Sequence, residues 1–78
     1  MKTRLRELRE DNDITQLKCA KIAYISKNSY IRYEKGEREI PLDIAKIFAK
    51  YYKTSIDYIA RLTDEPKPYP RKKEEIEI

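Results

Sequence analysis

The segment from Ile14 to Arg38 concentrates the side chains in this 78-residue sequence that could do chemistry. It carries six cations (Lys18, Lys21, Lys27, Arg32, Lys35 and Arg38) against two anions, Glu34 and Glu37. Interspersed are the amides Gln16 and Asn28 and the hydroxyls Thr15, Ser26 and Ser29. Ammonium and guanidinium groups donate to anionic oxygens, and an amide offers a donor and an acceptor side by side. The chemistry on offer is therefore recognition of a polyanion. Residues 1–62 hold 14 Lys and Arg against 9 Asp and Glu, whereas residues 63–78 hold 4 against 5. The net charge of +4 thus resides in the part with the residues to fold.

Other chemistries lack their components. There is no histidine, and Cys19 is the single cysteine, so a metal site or an internal disulfide is not expected. Cys19 reads as a small core residue, and one thiol suits a reducing compartment. No Gly-rich phosphate loop or clustered acidic pair is visible, so no catalytic residues, cofactors or enzyme activity are expected. No apolar run approaches the roughly 20 residues that span a bilayer, and MKTRLRELRE lacks a signal-peptide core. The expected location is the cytoplasm, with no membrane partner.

The elements that must position these side chains are short helices. Thr15 is a candidate N-cap for a helix running from Gln16 to about Ala23. Ser26, preceded by apolar Ile25, caps a second from Lys27 to Lys35, and Gly36, the one glycine, stands where a left-handed residue closes a helix. Together they spell a helix-turn-helix. At 3.6 residues per turn Lys27, Asn28 and Arg32 project from one side of the second helix, and Tyr30 and Tyr33 point to the other, toward a core.

The flanks read the same way. Residues 2–12 form a first helix with Leu5 and Leu8 on one face, ended by Asp11-Asn12-Asp13, where Asn12 or Asp13 can take the left-handed region. Cys19, Ala20 and Ala23 are small, and on the buried face, where the resemblance given below puts them, they leave space for close helix approach or for Leu17 and Ile22. Pro41 fits the first turn of a fourth helix whose core stripe is Ile44, Ile47, Phe48 and Tyr51. Thr54 or Ser55 caps a fifth helix from Ile56 to about Leu62, with Ile56, Ile59 and Tyr58 facing inward or across a dimer axis. From Thr63 the composition shifts to alternating Pro66, Pro68 and Pro70, then charge. The domains expected are residues 1–64 and an extended or disordered tail, 65–78.

Thr15-Gln16, Ala20, Ser26, Tyr33-Glu34 and Gly36, with Arg4–Arg9 before them and Ile40-Pro41 and Thr54–Tyr58 after, resemble the DNA-binding domain of lambda-repressor and Cro-like proteins, the XRE-type regulators. The similarity covers about residues 2–64. It implies an all-α, five-helix fold and a sequence-specific transcriptional regulator of double-stranded DNA, a repressor, bacterial or phage-encoded and nucleoid-associated. It implies base contacts from Lys27, Asn28 and Arg32, and an ion pair between Arg9 and Glu34 joining the first and third helices. Phosphate contacts are expected from Thr15, Gln16, Ser29, Lys35 and Arg38. A few base pairs per helix give little selectivity, so a homodimer on an inverted repeat is expected. The alternative is an antitoxin-like module whose main partner is a protein. Tyr24 departs from the family, which often has Gly or Asn at that turn position, and Arg61 stands where relatives often have a closing glycine.

Overall fold

The computed structural model describes residues 2–68 and 70. The described residues form five helices and no strand: α1 Leu5–Asp11, α2 Gln16–Ile22, α3 Lys27–Lys35, α4 Leu42–Tyr51 and α5 Ile56–Ile59. The fold is the all-α arrangement expected. Three starts are set by hydroxyl caps that accept from otherwise orphaned first-turn N–H groups. Thr15 accepts from the Lys18 amide, Ser26 from that of Ser29 and Ser55 from that of Tyr58.

All five described helices close in the same way. The residue beyond the helix is left-handed, with φ of 56° at Asp13, 59° at Tyr24, 79° at Gly36, 55° at Lys53 and 65° at Arg61. The next amide reaches back five residues: Ile14 to the Arg9 carbonyl, Ile25 to Ala20, Glu37 to Arg32, Thr54 to Ala49 and Leu62 to Asp57. This is the Schellman closure, which satisfies carbonyls the helix leaves over. Only one closure uses glycine. The left-handed region costs a residue with a Cβ about 1–2 kcal/mol, so the motif recurs at some expense in stability.

The core joins all five described helices around Leu5, Cys19, Ala20, Tyr30, Phe48 and Ile59, none of which is more than 1% exposed. Cys19, Ala20 and Ala23 are buried as expected, and Ile22 packs against the core beside them, but Leu17 does not; it is 48% exposed. Aromatic rings fill the rest. Tyr30 meets Phe48 edge-on with centroids 5.8 Å apart, Phe48 stacks on Tyr52 at 6.1 Å, and the Tyr52 hydroxyl lies 3.5 Å from the Cys19 sulfur. Small residues on α2 are thus the counterpart of large ones on α3 and α4.

Four boundaries or faces differ from the sequence reading. The first helix begins at Leu5 rather than residue 2, because the Arg4 amide donates to the Ile59 carbonyl and the Leu5 amide to the Thr3 hydroxyl, holding residues 2–4 outside it. Pro41 is the N-cap of α4, in an extended conformation, and not part of its first turn. The buried stripe of α4 is Ile44, Ala45, Phe48 and Ala49; Tyr51 is 45% exposed. It is Tyr52, the residue after it, that stacks on Phe48. The fifth helix ends at Ile59, since left-handed Arg61 reverses the chain and leaves Leu62 75% exposed.

The end of the described chain is fastened at several points. Arg4 donates to the carbonyls of Tyr58 at 2.8 Å and Thr63 at 3.0 Å, pairs with Asp64 at 2.9 Å and lies 4.3 Å over the Tyr58 ring. The Thr54 hydroxyl donates to the Pro66 carbonyl at 2.6 Å. The expectations for residues 69 and 71–78 lie outside the described residues.

Tyr24 is 91% exposed as well as left-handed, so little packing offsets its strain. Tyr24→Gly is expected to raise the unfolding free energy by about 0.5–1 kcal/mol, strain relief outweighing the entropy gained by the unfolded chain. A denaturant titration reads this directly, and a loss of stability would show that Tyr24 makes a contact worth more than its strain.

Candidate nucleic-acid interface

The site is built on one buried carboxylate. Glu34 is the last residue but one of α3 and is 5% exposed. A buried charge is tolerated only when its lone pairs are matched by donors, and Glu34 draws them from three helices. Arg9 of α1 donates through Nε to Oε2 at 2.7 Å and Gln16 of α2 through Nε2 to Oε1 at 2.8 Å. The Tyr30 hydroxyl, one turn earlier on α3, donates to Oε2 at 2.9 Å. Arg9 also reaches the Ile14 carbonyl at 3.3 Å, fixing the loop that leads into α2.

Electrostatics follow from this geometry. Burial pushes the Glu34 carboxyl up, but the hydrogen bonds from Arg9, Gln16 and Tyr30 outweigh it and hold the group below its ordinary value of 4.5. The hydrogen bond to Glu34 raises the Arg9 guanidinium. Burial raises the Tyr30 hydroxyl well above its usual range, so it remains a donor. The negative charge on α3 is thereby answered inside the protein.

With its inner face held in this way, α3 turns Lys27, Asn28, Arg32 and Lys35 outward, all exposed, and Arg38 follows in the exposed connection. None of these five side chains makes a hydrogen bond or ion pair with a described residue. Their opposite face, Tyr30, Tyr33 and Glu34, is buried. Thr15 and Ser29 lie at the starts of α2 and α3, the Thr15 hydroxyl accepting from Lys18 N and the Ser29 hydroxyl accepting from Ser26 at 3.0 Å. Gln16 is half-buried with its amide nitrogen committed to Glu34.

The sequence reading placed Arg9 opposite Glu34 but gave Gln16 only an outward role and Tyr30 only a packing one. The spacing of Tyr30 and Glu34, one helical turn apart, is the signal that could have joined them. Nothing in the sequence marks Gln16 as the third donor. Among the described residues no cluster of His, Cys, Asp or Glu could hold a metal ion, and no helix is long and apolar enough to cross a membrane.

Because the folded-state value of Glu34 lies below the unfolded one, its contribution to stability is complete above about pH 4.5 and lost as pH falls through the folded value. Glu34→Gln leaves Arg9 without its counter-charge and is expected to cost about 3 kcal/mol at pH 7. The gap between parent and variant should narrow as pH falls below about 4.5, measured by denaturant unfolding. A gap independent of pH would mean that the carboxylate's charge contributes nothing.

Comparison with known proteins agrees with this architecture. A family model described as helix-turn-helix matches residues 5–59, a span from the first residue of α1 to the last of α5. The chain is 41% identical over 70 residues to the HTH-type transcriptional regulator YobD of Bacillus subtilis, covering 90% of this chain and 62% of the relative. It is 34% identical over 50 residues to the cryptic phage CTXphi transcriptional repressor RstR of Vibrio cholerae, 64% of this chain and 45% of that one. It is 35% identical over 51 residues to the antitoxin PezA of Streptococcus pneumoniae, 65% of this chain and 32% of that one. The chain thus spans less than two thirds of the length of each of these relatives. No solved structure matches it significantly. The helix-turn-helix geometry of α2 and α3, the family match across all five helices and the likeness to named regulators together assign this chain to the XRE-type helix-turn-helix family of transcriptional regulators.

Proposed function

We propose that this chain reads a specific sequence in double-stranded DNA by laying α3 in the major groove of an operator, and that it does so as a homodimer that represses transcription. The observation that carries the reading is the division of α3: one face is locked by Tyr30, Tyr33 and Glu34, and the other offers Lys27, Asn28 and Arg32 with no partner among the described residues. A rigid helix with unengaged donors is what base-edge recognition requires.

The roles follow from donor geometry. Lys27 and Arg32 donate to guanine O6 and N7, and Asn28 pairs with adenine N6 and N7. Thr15, Gln16, Ser29, Lys35 and Arg38 position the protein on phosphates, Gln16 donating the second N–H of the amide nitrogen whose first goes to Glu34. Two copies present two α3 helices about 34 Å apart on an inverted repeat, which multiplies the selectivity of one helix. The exposed Leu62 beside α5 lies in the region that serves as the interface between copies. Repression accords with the likeness to RstR.

A second reading comes from the likeness to PezA, named as an antitoxin: the domain would chiefly engage a protein partner. Selection of bound duplexes from a random pool distinguishes the two. The parent is expected to enrich an inverted repeat. Arg32→Ala should lose preference at one position of each half-site at a cost of about 1–3 kcal/mol, and Asn28→Ala should lose preference at another without altering salt dependence. Enrichment of no motif, with binding persisting only at low salt, would favour the protein-partner reading.

A further inference from the structure

Beside the outward face of α3 runs an open-sided groove of about 730 Å³ at the junction of α1, α2 and α3. Its walls bring together Lys2, Arg6 and Arg9 from the N-terminal segment with Lys27 and Lys35 from the two ends of α3. The one acid in the wall is Glu34, and both of its oxygens are already occupied by Arg9, Gln16 and Tyr30. The groove therefore presents cations from two helices and the strand of chain before α1, with its single anion neutralised from behind.

Among the described residues, Arg9 is the one cation of the groove committed to a buried partner, Glu34. Lys2, Lys27 and Lys35 are exposed and make no hydrogen bond or ion pair with a described residue. Arg6 meets Glu10 at 3.0 Å, but with side chains 68% and 53% exposed that pair exchanges readily with another anion. Like charges gathered around one concavity repel one another, and an anion seated among them relieves that repulsion. The volume far exceeds the roughly 30 Å³ of a water molecule and admits a phosphate with its flanking sugars.

We propose that this groove seats a phosphodiester of the bound DNA strand, with Lys2 and Arg6 as additional phosphate contacts that extend the footprint from the helix-turn-helix onto the N-terminal segment and α1. The assignment rests on the DNA-reading function above and adds to it a strand-positioning site, since Lys2 and Arg6 lie outside the face that reads bases. A phosphate held between α1 and α3 sets how deeply α3 lies in the groove. Its contribution is electrostatic and independent of base sequence.

The test is the slope of log affinity against log salt for a duplex carrying the selected sequence. Each phosphate contact contributes about 0.9 to that slope. Lys2→Gln and Arg6→Gln are each expected to reduce it by about 1 and the double variant by about 2, with base preferences unchanged and Arg6→Lys retaining the parental slope. Lys46→Gln and Lys50→Gln, exposed on α4 away from the groove, measure the effect of net charge alone. A double variant whose slope matches the parent's, or falls no further than the α4 pair's, overturns the groove assignment while leaving the DNA-reading function standing. A parent that binds no duplex selectively overturns both.

Discussion

The placement of α3 depends on keeping the charge of Glu34 buried. An isolated carboxylate in a low-dielectric site costs several kcal/mol, so the fold holds only if Arg9, Gln16 and Tyr30 all stay in place. Those donors belong to α1, α2 and α3, and each hydrogen bond constrains the angle and register of its helix. A hydrophobic contact here would stabilise as well or better, but it would accept many relative orientations. The directional bonds select one. Function depends on that selection, because a helix that enters a groove of DNA is useful only if its outward side chains have a fixed bearing.

The packing around the network follows from the same requirement. Small residues on α2 and at its C-cap, Cys19, Ala20 and Ala23, bring it close to α3, and the rings of Tyr30, Phe48 and Tyr52 fill what remains. Tyr30 is the link between the two systems. Its ring packs edge-on against Phe48, and its hydroxyl donates to Glu34. The apolar core thus holds the polar network, and the polar network holds the presented face of α3. Short helices make this economy necessary, since none here exceeds ten residues and each ends in a tight closure that costs backbone strain at four residues with a Cβ.

Much of this was legible in the sequence because it is local. Thr15, Ser26 and Gly36 mark the limits of α2 and α3 by cap chemistry that operates within four residues, and turn chemistry narrowed one left-handed position to Asn12 or Asp13, of which Asp13 takes it; Tyr24 and Arg61 were marked only as departures from the family pattern. What was not legible is set by distant groups. The start of α1 depends on a bond from Arg4 to Ile59, at the far end of the domain, and no periodicity within residues 2–12 records it. On α4, Tyr51 and Tyr52 are adjacent and equally apolar; which one turns inward is decided by where Phe48 and Cys19 lie. The second role of Tyr30 and the inward role of Gln16 are of the same kind. The outward cations were identified as a set, but a concavity joining Lys2 and Arg6 to α3 exists only once α1 is docked.

The most direct test of the network's role is a double-mutant cycle on Arg9→Met and Glu34→Leu, scored both by unfolding free energy and by affinity for the selected operator. If the pair fixes the bearing of α3, each single change should be costly and the double variant should recover stability, giving a coupling above about 1.5 kcal/mol. Operator selectivity should nevertheless stay reduced in the refolded double variant, because an apolar pair supports stability without direction. Additive effects, with coupling below about 0.5 kcal/mol, or full operator selectivity in the double variant, would show that α3 is oriented by packing alone.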